Sequence, residues 1–194
     1  MHEILLIGLN HQTAPVELRE CIAFSSDETI DALDMLKNYR SVKEAILFST
    51  CNRVEVLVTT ESRKEAENAV KSFIAEFKNS PQTQFEASLY VHYGDDAVKH
   101  VFRVVSSLDS MMVGEPQILG QIKEAYHSAT LRKTSGTVLN RLLHRAFFVA
   151  KRVRTETGIG DHAVSISYAA IELAKKIFGS LEGKKALLIG AGEM

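Results

Sequence analysis

Cysteine is scarce in this chain. The two present, Cys21 and Cys51, lie far apart in a sequence of 194 residues. That excludes a disulfide framework and fits a reducing compartment. Neither cysteine stands at zinc-ligand spacing from the scattered histidines, so no metal site is expected. Long apolar runs are also missing: none approaches the ~20 residues that a bilayer-spanning helix needs. The start, Met1-His2-Glu3-Ile4, has neither the basic opening nor the cleavage site of a secretory signal. The expectation is therefore a cytoplasmic protein with no membrane partner. A strong charge of either sign is absent as well. The formal net charge is −1, which by itself argues neither for nor against nucleic acid. Internal repeats and low-complexity tracts are lacking. What remains is an ordinary globular balance, 45% hydrophobic and 24% charged.

The periodicity predicts an α+β chain. The run His2–Leu9, with Ile4 to Ile7 continuously apolar, reads as a buried strand. Pro15 can open a short helix through Cys21, on which Cys21 reads as core between Leu18 and Ile22. Ser25 followed by Glu28 is a capping-box signature for a helix to about Tyr39 that buries Ile30, Leu33 and Leu36. Ala45–Ser49 and Val54–Thr59 read as strands joined through Thr50–Arg53 as a hairpin. In the second of these, Val54, Val56 and Val58 alternate with Glu55 and Leu57. A helix over Glu61–Phe77 and a strand over Leu89–Tyr93 complete a βαββαβ order, which is the ferredoxin-like arrangement.

From Asp95 the pattern is helical. Helices are expected over Asp96–Leu108, from Glu115-Pro116 to Arg132, and over Thr137–Thr155, packed as a bundle. The last of these should bury Val138, Leu142, Ala146, Val149 and Val153. A further helix, Ser165–Phe178, stops at Gly179. The apolar stretch Ala186–Ile189 then runs into Gly190-Ala191-Gly192, the opening of a dinucleotide fingerprint, where glycines let backbone amides approach a pyrophosphate. A terminal strand with a glycine turn has the same appearance. The expected domains are 1–158, divided at 94 into ferredoxin-like and helical parts, and 159–194, the first helix and strand of a truncated Rossmann domain.

Three constellations bear on chemistry. Cys51 falls at the hairpin tip between Thr50 and Asn52, next to Arg53, and a neighbouring positive charge favours the reactive thiolate. An inert loop cysteine has the same signature. His100 lies on a helix among Val98, Val101 and Phe102, either as a half-buried hydrogen-bonded histidine or as a base near the thiol. Leu108 to Gln117 gathers Asp109, Ser110, Glu115 and Gln117 at a helix start, which suits ligand hydrogen bonds or ordinary capping. Separately, Lys123, Arg132, Lys133, Arg141, Arg145, Lys151, Arg152 and Arg154 stand against Glu124 alone between positions 121 and 154. That is the footprint a phosphate backbone attracts, or else a solvated helix face.

Four motifs in order carry a resemblance that spans essentially the whole chain. They are Gly8-Leu9-Asn10-His11-Gln12-Thr13-Ala14-Pro15-Val16-Glu17-Leu18-Arg19-Glu20, Ser49-Thr50-Cys51-Asn52-Arg53-Val54-Glu55, the run Ser107 to Gln121, and Gly190-Ala191-Gly192-Glu193-Met194. Together they resemble the glutamyl-tRNA reductases. The resemblance implies an oxidoreductase of tetrapyrrole and heme biosynthesis that uses NADPH and acts on glutamyl-tRNA. Cys51 would attack the glutamyl ester, release tRNA and hold a thioester, which hydride converts to glutamate-1-semialdehyde. By the same resemblance His100 stands near the thiol. Thr50, Asn52, Arg53, Ser110, Glu115, Pro116, Gln117 and Gln121 line the glutamate pocket. Arg53 would meet the side-chain carboxylate, and Glu115 the α-ammonium. Gly190, Ala191, Gly192, Glu193 and Met194 would touch NADPH, and Arg141, Arg145 and Arg152 would face tRNA. The family pattern implies a homodimer through a C-terminal domain and a partnership with glutamate-1-semialdehyde aminomutase. The chain departs from that pattern by stopping inside the NADPH fingerprint, so the expectation is thioester formation and slow ester hydrolysis without reduction. The competing readings are a tRNA-binding module with an incidental Cys51 and a thiol-dependent aldehyde dehydrogenase acting on a free metabolite.

Overall fold

The computed structural model describes residues 2–160 and 166–187. Its frame is a four-stranded antiparallel sheet made of β1 (Glu3–Asn10), β2 (Glu44–Thr50), β3 (Arg53–Thr60) and β4 (Tyr90–Tyr93), in the order β2-β3-β1-β4. Helices α1 (Val16–Ile22) and α2 (Ser26–Leu36) link β1 to β2, and α3 (Arg63–Phe77) links β3 to β4. This is the βαββαβ order expected, with its split crossover. Helices α4 (Gly94–Val105), α5 (Gln117–Leu131), α6 (Thr137–Glu156) and α7 (Ile166–Phe178) follow.

The sheet is covered on both faces. Helices α2, α3, α4, α5 and α6 all pack on the strands, and α4, α5 and α6 also pack on one another. Leu5, Leu6, Ile7 and Leu9 of β1 are all fully buried in consequence, which explains an apolar run without alternation. The same cover buries both faces of β3. All eight of its residues are buried, Glu55 among them. One core cluster runs from Leu5 through Phe73 and Val101 to Ala150, with no break at Gly94.

Caps and turns fix the element ends. Ser25 and Glu28 form the expected capping box on α2. The carboxylate of Glu44, at the start of β2, accepts from the backbone N–H of Gly136, Val138 and Leu139, satisfying the open first turn of α6. Gly179, with φ +73°, ends α7 and donates its N–H to the Lys175 carbonyl.

Three burial expectations are corrected. Ile30 is 40% exposed: α2 turns Leu33 and Leu36 inward as expected, with Ala32 rather than Ile30 beside them. The buried stripe of α6 is Leu139, Leu142, Leu143, Ala146 and Ala150, leaving Val138, Val149 and Val153 half-buried. Both sets repeat at helical spacing, and the contacts with sheet and α4 select between them. Cys21 is exposed, since α1 buries Arg19 and Ile22.

Candidate active site

The β2–β3 hairpin closes through Cys51 and Asn52 alone, with Thr50 paired opposite Arg53. Two-residue hairpins favour turns with positive φ, yet neither Cys51 nor Asn52 has one. The Thr50 hydroxyl supplies the missing order: Oγ1 accepts from the N–H of Asn52 and of Arg53, each at 3.2 Å. From below, the buried Arg19 donates Nη1 to the Cys51 carbonyl at 2.6 Å and to Asn52 Oδ1 at 3.2 Å. The loop after β1 is stitched on by His11 N–H to the Asn52 carbonyl, 2.9 Å. Cys51 is thus exposed on a turn clamped from three sides.

Alternation on β3 sends Arg53 and Glu55 to the same face, where they meet α4. Arg53 is 1% exposed. Its Nη1 donates to Glu55 Oε1 at 2.7 Å, and its Nη2 donates to the Asp109 carbonyl at 2.5 Å and to Asp109 Oδ2 at 3.2 Å. Glu55 Oε1 also accepts from the Tyr90 hydroxyl at 2.5 Å and contacts His100 Nε2 at 2.8 Å. Register makes this cluster possible. Gly8 of β1 is paired with Glu55 on one side and Tyr90 on the other. A Cβ at Gly8 would stand 2.6 Å from Glu55 Cγ and 2.5 Å from the Val54 carbonyl. Gly8 therefore leaves a gap through which Tyr90 reaches Glu55. The His100 ring lies 5.3 Å from that of Tyr90 and 4.8 Å from that of His92.

The charges are mutually dependent. Burial alone would raise the Glu55 carboxyl, but the His100 bond and the Arg53 charge outweigh it and hold the group at about 2. Burial, and then Glu55 beside it, push the Tyr90 hydroxyl up and keep it a donor. Burial and the neighbouring His100 lower His92. Burial, Arg53 and Arg19 lower His11, which favours its neutral imidazole.

Helix α4 hands over to α5 through the residues that hold Asp109 and Ser110. Ser107, at φ +60°, accepts the Gly114 N–H on its carbonyl and donates Oγ to the Glu115 carbonyl at 2.7 Å. Gly114, at φ +90°, would bring any Cβ within 2.3 Å of the Ile159 carbonyl. Arg154, near the end of α6, reaches the same Glu115 carbonyl at 3.4 Å. Ser110 is 8% exposed, and its Oγ is shielded from solvent without a hydrogen-bond partner among the described residues.

The structure thus joins Thr50, Cys51, Asn52 and Arg53 on one turn and ties them to Asp109, beside Ser110. Glu115 and Pro116 precede α5, and Gln117 and Gln121 stand one turn apart on it. His100 faces Glu55, and no hydrogen bond joins it to Cys51 among the described residues. Arg53 is already neutralised, so it can meet a ligand carboxylate only if Asp109 gives way. Arg141 and Arg145 are exposed on α6, whereas Arg152 is paired with Glu156 at 2.7 Å. The fingerprint residues Gly190, Ala191, Gly192, Glu193 and Met194 lie outside the described residues. Sequence reasoning passed over Arg19, Glu55, Tyr90 and His92. The one available signal was the Arg53-x-Glu55 pair inside an apolar strand, with spacing that puts both on one face.

The sequence model described as glutamyl-tRNAGlu reductase, N-terminal domain, matches residues 7–157. The chain belongs to this family. A glutamyl-tRNA reductase of Desulfatibacillum aliphaticivorans is 60% identical over 192 residues, covering 99% of this chain and 44% of that protein. One from Citrifermentans bemidjiense is 53% identical over 191 residues, covering 98% and 44%. The solved glutamyl-tRNA reductase from Methanopyrus kandleri superposes with a TM-score of 0.71 at 38% identity, covering 98% of this chain and 44% of that one. The chain thus spans less than half the length of these glutamyl-tRNA reductases. Among the described residues, no helix is long and apolar enough to cross a membrane.

Proposed function

We propose that Cys51 is the nucleophile of a glutamyl-tRNA reductase and attacks the ester carbonyl of glutamyl-tRNA. The sulfur–carbon bond forms, the ester carbon–oxygen bond breaks, and the terminal ribose hydroxyl leaves with a proton, so glutamate stays on the enzyme as a thioester. The observation that carries this reading is the exposed Cys51 on a turn held by Thr50, Arg19 and His11, beside a buried charge cluster that fixes the adjoining strand. Preorganisation of that kind lowers the cost of placing a nucleophile. Thr50, Asn52, Arg53, Ser110, Glu115, Pro116, Gln117 and Gln121 are proposed to surround the glutamyl group. The Ser110 Oγ, without a hydrogen-bond partner among the described residues, can bond it, and Glu115 complements its α-ammonium. His100, oriented by Glu55, acts as donor or acceptor towards the site.

Residues 1–158 are proposed as the catalytic domain, split near 94 into ferredoxin-like and helical parts, with 159–194 opening an NADPH domain. In the whole protein NADPH would supply the hydride that yields glutamate-1-semialdehyde, as part of cytoplasmic tetrapyrrole synthesis. A homodimer and a handover to the aminomutase belong to that same reading. Mixing the 194-residue chain with tRNA carrying radiolabelled glutamate tests it. Label should remain on the protein and disappear in Cys51→Ser, with slow release of free glutamate by water. A labelled Cys51→Ser variant, or no label on the parent chain, would overturn the assignment and leave an RNA-binding module or an aldehyde dehydrogenase.

A further inference from the structure

The basic stretch of α5 and α6 is not uniform in the fold. Arg132 is paired with Asp34, and Arg152 with Glu156. Among the described residues Arg141 and Arg145 have no acidic partner. These two line an open hollow of about 770 Å³ together with His144 and Phe148. Phe148 is 53% exposed, although its ring would gain from burial. The Arg145 guanidinium sits 5.4 Å from the centre of that ring. His144 is held edge-on to Tyr126 at 80°, with Nε2 2.9 Å from the Tyr126 hydroxyl. Lys123 stands 6.0 Å from the centre of the neighbouring Phe147 ring. An exposed aromatic ring beside cations that have no acidic partner among the described residues fits neither a core nor a plain solvated face. It matches what an unpaired nucleotide needs: a flat apolar surface for the base and fixed positive charge for the phosphates on either side.

Position favours one occupant. Helix α6 starts on Glu44 and, by way of Arg154, ends on the Glu115 carbonyl at the candidate site. At 1.5 Å per residue, Phe148 and Arg141 lie about 9 and about 20 Å along the helix from Arg154. These axial offsets match the length of a few nucleotides, which would wrap the helix, because Arg154 projects about 120–180° round the axis from Phe148, Arg141 and Arg145. We infer that the Arg141–His144–Arg145–Phe148 hollow binds an unpaired nucleotide of the 3′ end of the charged RNA, its base stacked on Phe148 and its phosphates held by Arg141 and Arg145. The inference rests on the RNA-ester reading above.

Binding of uncharged tRNA by fluorescence anisotropy across a salt series, alongside Cys51 glutamylation by charged tRNA, tests it. Phe148→Ala should weaken tRNA binding roughly tenfold, the size expected for one lost stacked base, and Phe148→Tyr should restore it. Replacing Arg141 and Arg145 by Gln should lower the salt slope by about 1.4, two phosphates at about 0.7 each for a single strand. In glutamylation the loss should appear as a higher charged-tRNA concentration for half-maximal rate in these variants. Removing the terminal 3′ nucleotides from the RNA should cost the parent chain about tenfold and Phe148→Ala nothing more. Unchanged affinity in both variants overturns the inference while leaving Cys51 chemistry intact. So does a Phe148→Ala loss that persists on trimmed RNA, or one that appears only as lost self-association. A parent chain that takes no glutamate from charged tRNA defeats the RNA-ester reading and this inference with it.

Discussion

Glu55 organises the site although it touches no solvent. It compensates Arg53, receives Tyr90 and orients His100. Removing one partner of a buried charge network leaves another uncompensated, so Glu55→Gln is expected to destabilise the fold by about 3 kcal/mol in urea titrations. The pH dependence follows from the same residue. Its folded pKa is held at about 2 against an ordinary 4.5. A depressed carboxylate contributes stability that is complete above the unfolded value and is lost as pH falls through the folded one. Stability should therefore drop between about pH 4.5 and pH 2, by about 3 kcal/mol in all. In Glu55→Gln this part of the acid transition should be missing. An unaltered acid profile in the variant would show that the charge network does not hold the fold. Of these residues Cys51 and Arg53 were legible in sequence, from a thiol next to a guanidinium at a turn. Glu55 was not, because its alternation with valines looks the same whether its face meets water or α4.

At the scale of elements, the strand row Tyr90–Gly8–Glu55 depends on a missing side chain. Gly8→Ala would drive a methyl group into the Val54 carbonyl and the Glu55 stem. Overpacking of this kind should cost about 1–3 kcal/mol, and it should slow Cys51 glutamylation because Arg53 and the hairpin move with Glu55. A variant with parent stability and rate would show that β1 and β3 can separate without consequence. The start of α6 gives a second case. Glu44→Ala removes the acceptor of three backbone N–H groups and is expected to cost about 1–2 kcal/mol, read as a lower urea midpoint at unchanged slope. The element order and the Ser25 capping box were readable locally, since caps and periodicity act within a few residues. The Glu44 cap was not, because it spans more than ninety residues of sequence.

At the scale of the whole molecule, the ferredoxin-like sheet and helices α4–α6 share one core. Residues 2–160 should therefore unfold as a single cooperative unit, with far-ultraviolet circular dichroism and hydrogen exchange in β1 and α6 giving the same midpoint. Separate transitions for sheet and helices would refute a common core. The strand and helix order, the hairpin that presents Cys51 and the family were all legible along the chain, because each rests on local periodicity or on contiguous motifs. Packing in three dimensions selected which face of α6 turns inward, left Cys21 outside and bound Arg53 and His100 to Glu55. It also set which arginines of the basic stretch have no acidic partner among the described residues. These outcomes depend on partners brought together across strands and helices, and spacing along the chain carries no record of them. Cys51 gained most from that difference: sequence placed it at a turn, and the fold supplied the clamps and the buried charges around that turn.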